Sequence, residues 1–185
     1  MRIISSIDNL FILKPEIYKD KRGYFYEKYK ESKINELLNR NIIFKQDNIS
    51  YSQKNVLRGL HFQSKPNYQE KFISVLSGKI FDVVVNINPK SKNFKKYYTF
   101  ILSSRNRHHL FISSDYAHGF LTLTNNVIIS YKVTSEYDPN NEQTILWNDK
   151  SLKIKWPFKK NSDLIISKKD SEGESFDNLF FNLNL

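Results

Sequence analysis

Short runs rich in Ile, Val, Phe and Tyr recur through most of the chain, and turn residues separate them. The pairs Ser77-Gly78 and Asn88-Pro89 and the run from Asp138 to Asn141 are typical turn sequences. Many short strands at this spacing are typical of β-sandwiches and β-barrels. The sequence therefore predicts an all-β fold with strands near residues 9–13, 24–30, 42–50, 55–63, 71–76, 79–87, 97–102, 108–112, 118–124, 127–134 and 143–147.

Residues 30–40 have helical rather than β spacing. Ile34, Leu37 and Leu38 fall on one face of a helix. One short helix is therefore expected on the β fold. Further along, residues 159–185 form a looser C-terminal segment, whose apolar end is expected to pack back on the body or on a partner.

The 185 residues fit one domain with room for a full core, and no repeat or linker marks a boundary within residues 1–185. The chain has no cysteine, which excludes a disulfide framework and thiolate metal ligands. No apolar run approaches the ~18 residues of a membrane span, and no export signal is recognisable after Met1. A cytoplasmic protein with no membrane partner is the simplest expectation.

The net charge of +10 is compatible with binding to nucleic acid or to an anionic ligand. Most of the 29 basic residues, however, are lysines scattered between Lys14 and Lys169 among many Asn and Ile residues. An AT-rich genome imposes this pattern, so no nucleic-acid partner is expected. Where cations coincide with aromatic residues and Gly, as in residues 19–25, the charge can still serve a phosphate.

The run Val56–Gln63 predicts a strand that carries polar groups into an apolar interior. Apolar residues surround the guanidinium of Arg58, the imidazole of His61 and the amide of Gln63. Burying such groups without partners costs roughly 2–7 kcal/mol each, so the strand indicates a functional site. On a regular strand Arg58 and His61 would lie on opposite faces. Arg58 must therefore arrive either across a bulge at Gly59 or from the opposite side.

Several separate motifs resemble one family, in that family's order. They are residues 58–63 (RGLHFQ), Lys71, residues 115–120 (DYAHGF), residues 130–132 (SYK) and residues 167–170 (SKKD). Together they resemble the dTDP-4-dehydrorhamnose 3,5-epimerase family, over roughly residues 11–170. The resemblance implies a cupin-like jelly-roll β-sandwich or barrel with one or a few short helices, and an enzyme that uses no cofactor.

The reaction of this family explains which residue types are needed. A 4-keto-6-deoxyhexose nucleotide has hydrogens at carbons 3 and 5 that the ketone acidifies only weakly. Epimerisation requires a base on one face, an acid on the other, and a group that stabilises the enolate. The resemblance implies conversion of dTDP-4-dehydro-6-deoxy-D-glucose to dTDP-4-dehydro-L-rhamnose, in dTDP-L-rhamnose and cell-surface polysaccharide biosynthesis.

The resemblance also assigns catalytic roles. His61 is the base, since the pKa of a histidine lies near neutral pH. Asp170 would orient that imidazole, and Asp82, which lies within an apolar strand, is the competing candidate. Tyr131 is the candidate acid, because a phenol remains a competent donor at pH 7. Lys71 would supply positive charge near the developing oxyanion.

Substrate binding is assigned in the same way. Arg22 and Arg58 have the forked geometry that suits diphosphate oxygens, while Phe25 and Tyr137 would flank the thymine. In this family the segment with Arg22 and Glu27 reaches into the neighbouring subunit's site, which implies a homodimer. The complete set of expected substrate-binding residues is Arg22, Phe25, Glu27, Gln46, Asn48, Arg58, His118, Tyr137, Glu142 and Lys169.

No metal site is predicted. A metal-binding cupin would offer a His-x-His motif with a nearby Glu, but here Gly59 and Gln63 flank the central histidine. His108 and His109 are adjacent and would point to opposite faces of a strand, so they cannot share one tetrahedral site.

Some positions depart from the family pattern: Ile49 replaces a His, Glu70 a Gly, Asn86 an Asp and Asn88 an Arg. None of these changes removes a proposed catalytic group. They leave open a 3-only or 5-only epimerase, or a ketoisomerase, acting on a related nucleotide sugar. From another functional class, a non-catalytic cupin that binds an anionic ligand or nucleic acid is the alternative.

Overall fold

Two six-stranded sheets face each other in the computed structural model, which describes residues 1–158 and 164–182. The strands are β1 (Arg2–Ile7), β2 (Leu10–Lys14), β3 (Tyr18–Asp20), β4 (Gly23–Phe25), β5 (Gln46–Ser52), β6 (Val56–Gln63), β7 (Lys71–Ser77), β8 (Lys79–Asn86), β9 (Tyr97–Ser103), β10 (His109–Ile112), β11 (Tyr116–Thr122), β12 (Val127–Val133), β13 (Glu142–Thr144) and β14 (Ile165–Ile166). The helices are α1 (Glu31–Leu38), α2 (Lys168–Ser171) and α3 (Phe176–Asn182).

The first sheet has the order β1-β2-β10-β7-β12-β5, and all of its neighbouring strands are antiparallel. The second sheet has the order β13-β6-β11-β8-β9, and β14 adds to β6 as a parallel strand. Strands β3 and β4 form a separate hairpin. The prediction of an all-β jelly-roll sandwich with a few short helices is confirmed.

One hydrophobic core lies between the facing sides of the two sheets. Ile73, Val75 and Ile129 of the first sheet pack in one cluster with Val84 and Phe120 of the second. Alternating residues of each strand point into this layer, as the period of two of a β-strand requires. The two sheets therefore bring side chains from distant parts of the sequence into one interior.

Helix α1 covers the outer face of the first sheet, as the helical spacing of residues 30–40 predicts. Ile34 and Leu38 are buried there against Phe72 and Phe111. The helix ends where Asn39 adopts the left-handed conformation with φ 49° and its backbone N–H bonds back to the last turn.

The C-terminal segment is more structured than its sequence indicates. Within residues 164–182 it forms β14, α2 and α3, and it covers the outer face of the second sheet. Phe176 and Phe180 are buried and stack with their ring centroids 4.4 Å apart. Of the two expected outcomes for the apolar end, packing on the body is found for Leu179 and Phe180, whereas Phe181 is 82% exposed. Residues 159–163 and 183–185 lie outside the described part of the chain.

Three predicted strands have bounds that are wrong by three residues or more. One is the run predicted over residues 143–147, which ends at Thr144. The run predicted over residues 24–30 pairs only as far as Phe25, because Tyr26 and Tyr29 turn their rings onto His109 and Phe72 of the first sheet. The run predicted over residues 42–50 is shifted to β5, since Ile42 packs in the α1 cluster instead of pairing. Strands β1, β3 and β14 were not predicted, and β1 and β3 are mostly exposed.

Candidate active site

A bulge in β6 sets the geometry of the site. His61 lies opposite His118 of β11, but two residues of β6, beginning with Gly59, oppose only Gly119. Gly59 has φ +104°, and a Cβ there would lie 2.6 Å from the Gly119 Cα, so only glycine fits. The predicted bulge at Gly59 is confirmed, and it brings Arg58 and His61 to the same cavity.

The cavity has a volume of about 440 Å³ and lies between the two sheets. Strands β5, β7 and β12 form one wall, and β6, β11 and β13 form the other. Most of the residues expected at the site from the sequence meet here. Those that line the cavity are Gln46, Asn48, Arg58, His61, Lys71, His118, Tyr131, Tyr137 and Glu142.

His61 is paired with Asp170. Its Nε2 lies 2.6 Å from the Asp170 Oδ1, and the other carboxylate oxygen accepts the backbone N–H of Gly59 at 3.4 Å. Burial alone would raise the pKa of Asp170, but the hydrogen bond and charge of His61, with the Gly59 N–H and Ser167, bring it below its ordinary value. A carboxylate held ionised in this way favours the tautomer of His61 that donates from Nε2, which leaves Nδ1 as the basic atom.

Asp82, the competing partner for His61, bonds a different histidine. Its Oδ2 lies 2.8 Å from the His118 Nε2, and both side chains are buried. Burial raises the pKa of Asp82 above its ordinary value, although His118 and Lys71 act in the opposite direction. The second sheet thus carries two histidine–carboxylate pairs side by side, because His61 and His118 are directly opposite in register.

Lys71 begins β7 and extends a buried cation to the opposite wall. Its Nζ donates to the backbone oxygen of His61 at 3.1 Å. Burial lowers the pKa of Lys71 to about 8, although Glu142 and Asp82 act to raise it. The ammonium is therefore still mostly charged at neutral pH, at a place where charge is costly.

Tyr131 lies on β12, on the wall that faces the His61 wall. Its hydroxyl shares a 3.0 Å hydrogen bond with the hydroxyl of Ser50 on β5. Burial raises the pKa of the Tyr131 phenol above its ordinary value, and Ser50 and Arg58 only partly offset this. The phenol therefore keeps its proton throughout the physiological pH range.

A polar cluster lies at the mouth of the cavity. Glu142 accepts a hydrogen bond from the Tyr137 hydroxyl at 2.8 Å and pairs with the ammonium of Lys169. Burial alone would raise the pKa of Glu142, but Lys169 and Tyr137 bring it below its ordinary value. Lys169 thus contacts the site through Glu142, and Arg58 points its guanidinium toward neutral oxygen atoms of β5.

Four of the expected substrate-binding residues do not line this cavity. Lys169 contacts it through Glu142, and the other three lie on or beside the β3–β4 hairpin. Arg22 and Phe25 lie on the exposed β3–β4 hairpin, and Glu27 follows it, also exposed. The guanidinium of Arg22 is paired with Asp20 of the same hairpin at 2.5 Å. Within one chain this hairpin therefore contributes nothing to the His61 site.

Some residues of the site were missed in the sequence. Ser50 and Gln69 line the cavity without having been predicted. The alternation of polar residues along β5 would have indicated Ser50, since Gln46 and Asn48 precede it on the same face. Gln63, in contrast, bonds backbone groups of two loops.

The described residues contain no group of three or more His, Cys, Asp or Glu side chains arranged to hold a metal ion. Within the same residues, no helix has the length and apolar character that crossing a membrane requires.

The comparisons with known proteins agree on one family. The family model described as dTDP-4-dehydrorhamnose 3,5-epimerase matches residues 5–178. The dTDP-4-dehydrorhamnose 3,5-epimerase of Salmonella typhimurium is 41% identical over 175 residues, which cover 95% of this chain and 94% of that protein. The enzyme of the same name from Methanothermobacter thermautotrophicus is 43% identical over 169 residues, covering 91% and 90% of the two chains.

A solved structure shares the fold closely. The dTDP-6-deoxy-D-glucose-3,5-epimerase of Legionella pneumophila, in complex with dTDP-4-keto-L-rhamnose, superposes with a TM-score of 0.91 at 40% sequence identity. The match covers 98% of this chain and 95% of that one. The two chains therefore share their architecture from end to end.

Proposed function

Because this chain belongs to the dTDP-4-dehydrorhamnose 3,5-epimerase family, we propose that it converts dTDP-4-dehydro-6-deoxy-D-glucose to dTDP-4-dehydro-L-rhamnose. This reaction supplies the dTDP-linked sugar of rhamnose biosynthesis. The observation that carries the proposal is that His61 of the second sheet, paired with Asp170 of α2, and Tyr131 of the first sheet lie on opposite walls of one cavity. Such a site can exchange protons on two faces of a sugar ring.

The reaction begins with the base. The imidazole of His61 removes the proton from a carbon next to the 4-keto group, and the electron pair moves onto the ketone oxygen to give an enolate. Asp170 stabilises the imidazolium that forms, through the hydrogen bond of 2.6 Å. The positive charge of Lys71 stabilises the enolate in a partly desolvated site, where such a charge acts strongly.

The reaction ends with the acid. Tyr131 donates its phenolic proton to the same carbon from the opposite face, which inverts the configuration, and solvent then returns both side chains to their starting state. The same cycle applies to carbons 3 and 5, because both are next to the ketone. Substrate and product have the same composition, so the chemistry consumes no other reactant.

Deuterium exchange tests this function directly. The purified protein is incubated with dTDP-4-dehydro-6-deoxy-D-glucose in deuterated water, and proton NMR follows carbons 3 and 5. We expect deuterium at both carbons together with net inversion. Exchange at one carbon only would replace the proposal by a single-carbon epimerase, and no exchange at either would refute it in favour of a non-catalytic binding protein.

We further propose that the active protein is a homodimer, in which the β3–β4 hairpin of one copy completes the site of the other. The support is that Arg22 and Phe25 are exposed and lie away from the cavity of their own chain. A diphosphate needs cations, and the guanidinium of Arg22 suits its oxygens.

Mixing two inactive variants tests the shared site. Arg22→Ala lacks the hairpin cation and His61→Asn lacks the base, so neither alone should turn over substrate. After unfolding and refolding together, the mixture should recover about a quarter of the wild-type activity, since half of the dimers are mixed and each has one intact site. No recovery, with mixed dimers verified by mass, would refute the shared site.

A further inference from the structure

Gln63 is a buried amide that the proposed chemistry does not use. It is only 3% exposed and lies two residues after His61 on β6. Its Nε2 donates to the backbone oxygens of Asn67 at 2.8 Å and Glu136 at 3.2 Å, and its Oε1 accepts the backbone N–H of Asp138 at 2.9 Å. One side chain thus satisfies three backbone groups that would otherwise be buried without partners.

Two of these three backbone groups flank Tyr137. Glu136 and Asp138 are its neighbours in sequence, and the backbone N–H of Tyr137 itself donates to the Oε1 of Gln46 at 2.8 Å. The backbone on both sides of Tyr137 is therefore fixed by side-chain amides from β5 and β6. Tyr137 is 53% exposed, so burial does little to fix its position.

Other hydrogen bonds join the same two loops. The Asn67 Nδ2 donates to the Asp138 Oδ2 at 2.5 Å, and the Ser64 N–H donates to the Asn141 backbone oxygen at 2.9 Å. We call the joined loops, residues 64–70 and 134–141, the mouth clasp. Gln63 is buried and bonds residues of both loops of the clasp.

We propose that Gln63 is a positioning residue, which sets Tyr137 at the mouth of the cavity so that the substrate meets a preformed contact. This inference rests on the proposed function. Gln63 acts by positioning Tyr137, and the hydroxyl of Tyr137 in turn bonds Glu142. The side chains of His61 and Tyr131 have no hydrogen bond to the clasp among the described residues. The effect of Gln63 is therefore on substrate binding rather than on proton transfer.

Gln63→Met tests the proposal, because it keeps the side-chain length and removes all three hydrogen bonds. We expect KM to rise about tenfold, with kcat within about twofold of the wild type. The matched control is Asn106→Leu. Asn106 also bonds three backbone groups, in the turn before β10, and does not line the cavity. It should lower thermal stability and leave KM unchanged.

A double-variant cycle distinguishes positioning from general destabilisation. In a Tyr137→Ala background, Gln63→Met should change KM by less than about twofold, because the residue it positions is already absent. An unchanged KM in Gln63→Met alone, or an equal effect in both backgrounds, would overturn the proposal. If Gln63→Met does not fold, the half-exposed Asn67→Ala breaks the same clasp, and an unchanged KM there would overturn it as well.

Hydrogen exchange separates this inference from the proposed function. Amides of residues 134–141 should exchange faster in Gln63→Met than in the wild type or in Asn106→Leu. If the wild type shows no turnover, the proposed function fails whatever the exchange result. If the wild type is active and residues 134–141 keep their protection in Gln63→Met, the inference about Gln63 alone is wrong.

Discussion

Lys71→Met is expected to make the protein more stable at neutral pH while it lowers activity. Lys71 is buried, and its pKa falls from 10.5 to about 8. This fall corresponds to about 3 kcal/mol by which the folded state disfavours the charged side chain. The hydrogen bond to the His61 oxygen is lost in the variant, at a cost of about 1 kcal/mol. The free energy of unfolding should therefore rise by about 2 kcal/mol at pH 7.

The difference in stability between Lys71→Met and the wild type should depend on pH. The folded protein binds the Lys71 proton less tightly than the unfolded chain does. The penalty is therefore fully present below pH about 8 and disappears as the pH rises toward 10.5. Denaturant unfolding at neutral pH and near pH 10 measures the difference in the free energy of unfolding between wild type and variant at each pH. Lys71→Met should be the more stable protein at pH 7, and the gap should close near pH 10.

Lys79→Met is the matched control, because Lys79 is an exposed lysine at the start of β8, the next strand in the sequence. Its effect should stay within about 0.5 kcal/mol at both pH values. If Lys71→Met is less stable than the wild type at pH 7, or if its gain persists unchanged near pH 10, the assumed cost of burying this charge is wrong. A gain in stability with a loss of turnover would show that the charge is kept for function.

Further predictions concern the proton-transfer groups and the bulge. His61→Asn should reduce deuterium exchange at both carbons by ~10²–10⁴-fold, and Asp170→Asn should reduce it less; a larger loss in Asp82→Asn would reassign the partner. Tyr131→Phe should still exchange deuterium through the His61 face but should not invert the configuration of the sugar carbon, and proton NMR measures both on one sample. An unchanged ratio of exchange to inversion would show that Tyr131 has only a structural role. Gly59→Ala should lower the free energy of unfolding by about 2 kcal/mol or more, measured by denaturant unfolding, because its Cβ would lie 2.6 Å from the backbone of β11.

The bulge and the main strands follow from local rules, which is why the sequence predicts them. A glycine inside an apolar strand weakens the strand unless the backbone needs its freedom, and Gly59 does take a conformation that residues with a Cβ avoid. The period of two places Gln46 and Asn48 on one face for a similarly local reason. Features that depend on one strand and its immediate neighbours are thus readable from the chain.

The partner of His61 depends on contacts that no local pattern contains. Asp170 is 109 residues away from it, and only the family resemblance favours Asp170 over the competing candidate Asp82. Strand β14 decides between them, because Ile165 and Ile166 pair in parallel with the start of β6 and so deliver α2 beside His61. A two-residue strand has too weak a signal to predict.

Gln63 shows a second limit. A polar residue in an apolar strand indicates that its hydrogen bonds are satisfied, but not by what. The sequence predicts that Gln63 serves the site together with Arg58 and His61. In the structure, however, Gln63 bonds the backbone oxygen of Glu136, 73 residues away. Loop backbone has no side-chain signature, so such a contact is found only in the folded structure.

The balance of charge in the cavity indicates what it is built to receive. Each buried or half-buried carboxylate is paired with a cationic or titratable partner: Asp170 with His61, Asp82 with His118, and Glu142 with Lys169. Among the described residues, neither of the remaining cations of the cavity, Arg58 and Lys71, has a carboxylate partner. Arg58 bonds the Ser52 hydroxyl and the Tyr51 oxygen, and Lys71 bonds a backbone oxygen. The unpaired charge of Lys71 is costly in an empty site because it is buried, whereas the exposed Arg58 is solvated. An occupant that carries a negatively charged diphosphate and develops a further negative charge on an enolate would give each of these two cations an anionic partner.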